Sequence, residues 1–268
     1  MTNEENRLSW NRLSEYYQSN THISLDDIHY SPYSFGELKL RIIGDVKGLD
    51  CLELGCGGGQ ISIVLAKWGA RKVIGLDISE NQLDFAQSLA KKSNVDITFI
   101  RQDMEDLSRF EKCSFDLVIS VHAISYVENF KNVISEAFRV LRPQGRFVLC
   151  VLHPFQYVLW EALEETNFGK IRPYFSTSRD TWDWLDDKKE IIATFTQTYR
   201  RFEEWINGLI KVGFIIQKVI EPKGYSRMEI QELDIDEIPY YDKNIINEKF
   251  IQVNQIIPFS LIISAKKE

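Results

Sequence analysis

The sequence predicts a doubly wound α/β fold: a seven-stranded, mostly parallel sheet preceded by an N-terminal helical segment. Three observations predict it. Short runs of aliphatic and β-branched residues recur along the chain, stretches with apolar residues at helical spacing alternate with them, and the runs are apolar at successive positions. Such strands are buried on both faces, the pattern of parallel strands covered by crossover helices.

The elements follow in order. Residues 50–54 (Asp-Cys-Leu-Glu-Leu) form the first run and end at Gly55, and residues 60–69 place Ile61, Val64, Leu65 and Trp68 on one helical face. Residues 72–76 read as the second strand, closed by Asp77, and Ser79 is the N-cap candidate of a helix carrying Leu83, Ala86 and Ala90. Residues 96–101 and 115–121 are the third and fourth strands. A helix over 129–142 stops at Pro143-Gln144-Gly145, and 146–152 is the fifth strand. After His153 the rhythm stops for roughly 45 residues. It resumes with a helix at 201–212, a strand at 214–220 and a last strand at 259–265. The expected organisation is one domain: a helical cap over 1–48, a core over 49–152, and irregular insertions at 153–200 and 222–256 on the substrate side.

Composition narrows the function. Lys plus Arg is 32 and Asp plus Glu is 39, a formal net charge of −7, so the whole molecule has no attraction to phosphate backbones or anionic lipid. Nucleic acid and membrane are therefore not expected partners. The start, Met1-Thr-Asn-Glu-Glu-Asn, is too polar for a signal peptide, and no apolar run approaches the ~18–20 residues of a bilayer span. The four cysteines (Cys51, Cys56, Cys113, Cys150) hold no C-x-x-C pair, so neither a zinc site nor a disulfide frame is expected. The expected setting is cytoplasmic, as a monomer or homodimer with no metal.

The chemistry gathers where the first strand delivers Glu53-Leu-Gly55-Cys56-Gly57-Gly-Gly59 into a helix. Glycines there let a ligand approach the backbone. Asp77, 22 residues after Gly55, is placed to accept from the two hydroxyls of a ribose. A dinucleotide fingerprint needs a third glycine where Gln60 stands, and Glu53 suits a cation better than a pyrophosphate. Asp103-Met104, after the third strand, offers an acceptor for an exocyclic amine and an apolar cover for an adenine ring. A cationic, phosphate-free adenosine derivative fits all three, and S-adenosylmethionine is one. A nicotinamide-dependent oxidoreductase is the alternative on the same kind of sheet. A non-catalytic binder of S-adenosylmethionine is another.

On these residues the stretch from about 50 to 152 resembles the class I S-adenosylmethionine-dependent methyltransferases, and within them the "type 11" group. The matching segments also include Leu76-Asp77-Ile78-Ser79, Phe115-Asp116-Leu-Val-Ile-Ser120 and Val140-Leu-Arg-Pro143-Gln-Gly145. The resemblance implies a Rossmann-like sheet and S-adenosylhomocysteine as the product. It implies that Glu53, Gly55, Cys56 and Gly57 line the methionine part, Asp77 holds the ribose, Ile78 lies against the adenine, and Gln82 is a further cofactor-binding residue. It also sets Asp103 and Met104 at the adenine, with Ser120 and His122 near the methyl group. Trp10, Ser14 and Tyr17 are similar in spacing to the helix that folds over the cofactor in this family.

The acceptor is read from less. His153 and His122, each after a strand at the carboxyl edge, are the candidate bases or positioning groups. His22 and His29 are expected on the surface. Trp182 and Asp183, with Tyr199 and the N-terminal Tyr30, Tyr33 and Phe35, are the candidate substrate wall. Residues 227–248 add seven acids against Arg227 and Lys243. Aromatic faces with carboxylates suit a cation. The expected reaction is methylation of a nitrogen or oxygen on a cationic small molecule or modified peptide of secondary metabolism.

Overall fold

A computed structural model describes residues 3–165, 171–175, 178–233, 237–242 and 248–268. The chain opens with helix α1 (Asn3–Asn20), strand β1 (Thr21–Ile23) and a single turn, α2 (Glu37–Leu40). The alternating core follows as β2 (Asp50–Leu54), α3 (Gln60–Lys67), β3 (Lys72–Asp77), α4 (Glu80–Lys92), β4 (Thr98–Arg101), β5 (Phe115–Val121), α5 (Phe130–Val140) and β6 (Leu141–Leu152). The late elements are α6 (Pro154–Glu165), β7 (Ser178–Leu185), β8 (Ile191–Tyr199), α7 (Phe202–Val212), β9 (Phe214–Ile220), α8 (Arg227–Glu232), β10 (Tyr240–Asp242), α9 (Glu248–Ile256) and β11 (Ser260–Lys267).

Seven strands form one sheet in the order β4-β3-β2-β5-β6-β11-β9. The first five run parallel, and β11 enters antiparallel to both β6 and β9. Strand alternation sorts the core into two layers. Leu52, Leu54, Val118, Phe147 and Leu149 pack with Val133, Ile134, Trp205 and Leu209 of α5 and α7. Cys51, Leu117, Ile119, Val148 and Cys150 pack with Ile61, Val64 and Leu65 of α3. At the amino end Arg142 bridges Asp50 (2.8 Å) and Asp116 (2.6 Å), and Arg71 pairs with Asp50 (2.7 Å). Those guanidiniums, Arg71 first, pull the Asp50 carboxyl down to about 2. The chain builds outward from β2 through β3 to β4, then returns on the other side with β5. Loops at the carboxyl ends of β2 and β5 therefore part, and a crevice opens between them.

The first insertion is more ordered than expected. Residues 153–200 supply α6 and an antiparallel hairpin in which Trp182 faces Phe195 and Trp184 faces Ala193. Ile191–Tyr199 alternates with β-branched and aromatic residues, a strand signal in its own right. Its turn is tied by Asp186, whose Oδ1 accepts from the Lys188 and Glu190 amides at 2.8 Å. In the second insertion β10 pairs with β1 and joins the two ends of the chain. Asp234, Asp236 and Lys243 of the acidic stretch lie outside the described residues.

Helix α1 is held by polar contacts more than by an apolar stripe, for three of its four buried residues are Asn6, Ser9 and Ser14. Asn6 exchanges hydrogen bonds with the Thr196 backbone, both at 2.9 Å. Arg7 clamps Glu80, Asn11 Oδ1 accepts from Ser79 Oγ at 2.6 Å, and Gln18 links Gln60 and Gln82 at 2.8 Å each. The helix thus lies across the carboxyl ends of the strands, between hairpin and core.

Candidate active site

Beneath α1 the crevice becomes a cavity of about 430 Å³, walled by the glycine loop, the strand ends and the hairpin. The loop leaves β2 with Gly55 (φ 71°) and Gly57 (φ 50°) in left-handed backbone. Their surroundings differ. A Cβ on Gly55 would fall 2.2 Å from the Ala123 Cβ, whereas one on Gly57 meets nothing closer than Gln82 Oε1 at 3.9 Å. Gly55 is needed for packing of loop on loop; Gly57 faces the cavity.

Three carboxyls reach this wall. Asp77 Oδ2 accepts from the Gly57 amide and Oδ1 from the Ser79 amide, both at 2.8 Å, so the loop and the start of α4 are fixed by one side chain. Burial raises its pKa above the usual carboxylate value. Asp103 Oδ2 accepts from Asn3 Nδ2 at 2.7 Å, and Oδ1 from the Glu105 amide at 2.9 Å. An amide NH2 thus already sits on the oxygen expected to meet an exocyclic amine. Glu53, 3% exposed, accepts from Ser62 Oγ at 2.5 Å and has no cation beside it among the described residues. Burial pushes its carboxyl up to about 8. Cys56, Ile78, Gln82 and Met104 complete this half of the lining.

Several expected site residues lie elsewhere. Ser120 is fully buried and donates to the Leu54 carbonyl at 3.1 Å, bracing β5 against β2 beneath the glycine loop. His153 is also buried and outside the lining: Nε2 donates to Glu221 at 2.7 Å and Nδ1 accepts from the Phe155 amide at 3.1 Å. Neither ring nitrogen is left to serve as a base. His122 does line the cavity, in left-handed backbone (φ 53°). Its Nε2 lies 2.9 Å from the Tyr30 carbonyl, which can only accept, so Nε2 carries the proton and Nδ1 the lone pair. Burial lowers its pKa to about 4, and the ring is neutral at neutral pH.

The other half of the cavity is aromatic. Trp10 and Tyr17 from α1 meet Tyr126 and Trp184, with ring centroids 5.5–6.1 Å apart and edge-to-face. Tyr199 lines it and stacks on Tyr157 behind, and Tyr17 Oη donates to Tyr240 Oη at 3.1 Å. Strand alternation turns Trp182 and Trp184 inward and Asp183 outward, where it accepts from Thr194 Oγ1 at 2.6 Å in solvent. Tyr30, Tyr33 and Phe35 form no part of the wall. Tyr30 is a core residue donating to Glu37 at 2.7 Å, while Tyr33 and Phe35 pack with Phe250 and Tyr225. The expected carboxylate for a cationic acceptor is therefore missing from the described lining of this half. Conversely His29, expected on the surface, lines the cavity against Tyr240. The β1–β10 pairing brings Tyr240 to this wall, the hydrogen bonds of the Tyr30 carbonyl with His122 and Ser260 hold the adjoining backbone, and no local pattern marks His29.

The chain resembles known proteins over this same core. A family model described as a methyltransferase domain matches residues 52–149. A Bacillus subtilis protein described as the uncharacterized methyltransferase YbaJ is 32% identical over 185 residues, 67% of this chain and 71% of its own. The demethylmenaquinone methyltransferase of Lactococcus lactis is 34% identical over 160 residues, 56% of this chain and 62% of its own. Among solved structures, an S-adenosylmethionine-dependent methyltransferase from Mesorhizobium loti superposes with a TM-score of 0.62 at 25% identity, over 85% of this chain and 94% of that one.

Proposed function

Because the chain belongs to the class I S-adenosylmethionine-dependent methyltransferases of the type 11 group, we propose that it methylates an oxygen or nitrogen of a small organic acceptor held in the aromatic half of the cavity. S-adenosylmethionine is its cofactor, and when bound it supplies a methyl group already activated by a sulfonium. The observation that carries the fit is Glu53, a buried carboxyl with no cationic partner among the described residues, beside a glycine loop open to the cavity. Such a group is costly unless a cation joins it. Asp77 would hold the ribose hydroxyls with its free lone pairs, and Met104 would cover the adenine. Asp103 would exchange Asn3 for the adenine amine. The nicotinamide alternative has no support in the family.

What the chain adds is placement. Methyl transfer needs the acceptor lone pair aligned opposite the breaking bond, and such positioning supplies ~7–11 kcal/mol in favourable cases. The ring walls from α1 and the hairpin support that reading, since they close a cavity of about 430 Å³ over the strand ends. A volume of that order suits a small molecule.

Calorimetry with S-adenosylmethionine and S-adenosylhomocysteine tests the reading. Both should bind, and Asp77→Ala should weaken both by ~1.5–3 kcal/mol through loss of a charged acceptor. Affinity unchanged in that variant would place the ribose elsewhere. No binding by the wild type would end the methyltransferase reading of this cavity.

A further inference from the structure

The carboxyl read as the adenine acceptor is already engaged from within the chain. Asp103 Oδ1 takes the amide of Glu105 in its own turn at 2.9 Å, which leaves Oδ2 as the oxygen available to a ligand. On Oδ2 sits the side-chain NH2 of Asn3 at 2.7 Å, and the same NH2 reaches Glu105 Oε1 at 2.9 Å. A carboxamide NH2 and the exocyclic amine of adenine are the same kind of group, an uncharged donor with two hydrogens. Asn3 also marks a boundary. With Ile78, Gln102 and Asp103 it lines both the cavity and an open groove outside it, so it stands where the Asp103 end of the cavity meets solvent.

The seat is held but poorly satisfied. Asn3 Oδ1 is sealed from solvent with no partner among the described residues, and a dry, unpaired carbonyl offsets much of what the NH2 gains. One turn on, Arg7 clamps both oxygens of Glu80, so the body of α1 stays anchored when its first turn lifts. Helix ends open at far lower cost than helix bodies.

We propose that the first turn of α1 is a built-in competitor of the cofactor: Asn3 plugs the adenine subsite of the empty protein, and the adenine amine evicts it. The inference rests on the methyltransferase reading above, with Asp103 as the adenine acceptor. The apparent affinity of any adenine ligand is then lowered by the fraction of molecules in which the plug is seated. S-adenosylmethionine and S-adenosylhomocysteine carry the same adenine and pay the same factor. The use of the plug is in release, because a donor waiting beside Asp103 shortens the stay of the product.

Adenosine and purine riboside differ only in the exocyclic amine, so together they separate the plug from binding in general. Each is titrated into the full chain and its Asn3→Ala and Asn3→Asp variants, with S-adenosylhomocysteine alongside. Asn3→Asp keeps the side-chain shape but has no NH2, and it sets a carboxylate against Asp103 and Glu105. Both variants should bind adenosine and S-adenosylhomocysteine about tenfold more tightly than wild type, the weight of one net hydrogen bond, and purine riboside within about twofold of wild type. Nitrogen-15 spectra give an independent readout. The Asn3 side-chain NH2 signal, assigned by its loss in the Asn3→Ala protein, should move to the position of solvated amides when adenosine is added and stay in place with purine riboside. Weaker adenosine binding by Asn3→Ala would mean that Asn3 helps to hold the adenine. Unchanged binding would mean that both amines fit at Asp103 together, and a gain shared by purine riboside would mean that the amine is not what competes. Any of the three overturns the plug. If S-adenosylhomocysteine binds all three proteins alike, the plug alone falls; if it binds none of them, the methyltransferase reading falls as well.

Discussion

Gly57→Val gives a folded protein that no longer binds S-adenosylmethionine. The added Cβ points into the cavity and meets nothing closer than Gln82 Oε1 at 3.9 Å, so the fold has room for it. Its cost to stability is that of left-handed backbone for a β-branched residue, at φ 50°, about 1–2 kcal/mol. The cost to binding is steric, because the side chain would fill the space that the cofactor's methionine part is proposed to use. Gly55→Ala should behave the other way. There the Cβ would overlap Ala123 at 2.2 Å and Met104 Cε at 3.0 Å, so the loops must move apart. Overpacking of this kind costs ~1–3 kcal/mol on top of the backbone strain. Thermal unfolding and calorimetry on the two variants separate the effects. A Gly57→Val protein that melts near wild type and binds with wild-type affinity would show that the cofactor does not lie on this loop.

The contrast between the two glycines also marks how far the chain could be read in advance. Glu53 is the penultimate residue of β2, Asp77 is the last of β3, and Gly57 and Asp103 come within three residues of the ends of β2 and β4, so the strand pattern alone locates them and the parallel order brings the four together at one edge. The misplacements share a cause. Side chains on a strand alternate, so a residue type suited to a site says nothing until the register is known. Ser120 and Asp183 stand one position away from residues that do line the cavity, Val121 on one side and Trp182 and Trp184 on the other. The hairpin is not legible in the sequence because tryptophans and aspartates mask its alternation in Ser178–Leu185. The remaining aromatic wall depends on contacts across the whole chain, such as Tyr17 with Tyr240, which no local pattern encodes. His29 belongs to that class. So does the exclusion of Tyr30, Tyr33 and Phe35, aromatic residues with the right composition that the fold spends on its core.

Glu53→Gln should raise the stability of the free protein at alkaline pH and weaken its hold on the cofactor. The carboxyl is buried with no cation beside it among the described residues, and that burial lifts its pKa from 4.5 to about 8. Between those values the folded protein holds a proton that the unfolded chain has released. Stability contributed by the protonated group is therefore complete below about pH 4.5 and is lost as pH rises through about 8, by up to ~1.4 kcal/mol per unit. Glutamine keeps an acceptor for Ser62 and has no proton to lose, so the variant should melt above wild type at about pH 9. A cationic ligand reverses the preference, because the ionised carboxylate is then the favoured form and binding must expel the proton. Calorimetry in two buffers of different ionisation enthalpy measures this directly, and the ligand's own titration cancels between the two proteins. Near neutral pH, wild type should release close to one proton more than Glu53→Gln and bind S-adenosylmethionine roughly 10–100-fold more tightly, the strength of a charge-assisted contact. That gap should narrow as pH falls, since the proton becomes harder to displace. Equal proton release by the two proteins would mean that Glu53 stays protonated in the complex, and that the positive end of the cofactor rests against some other part of the wall.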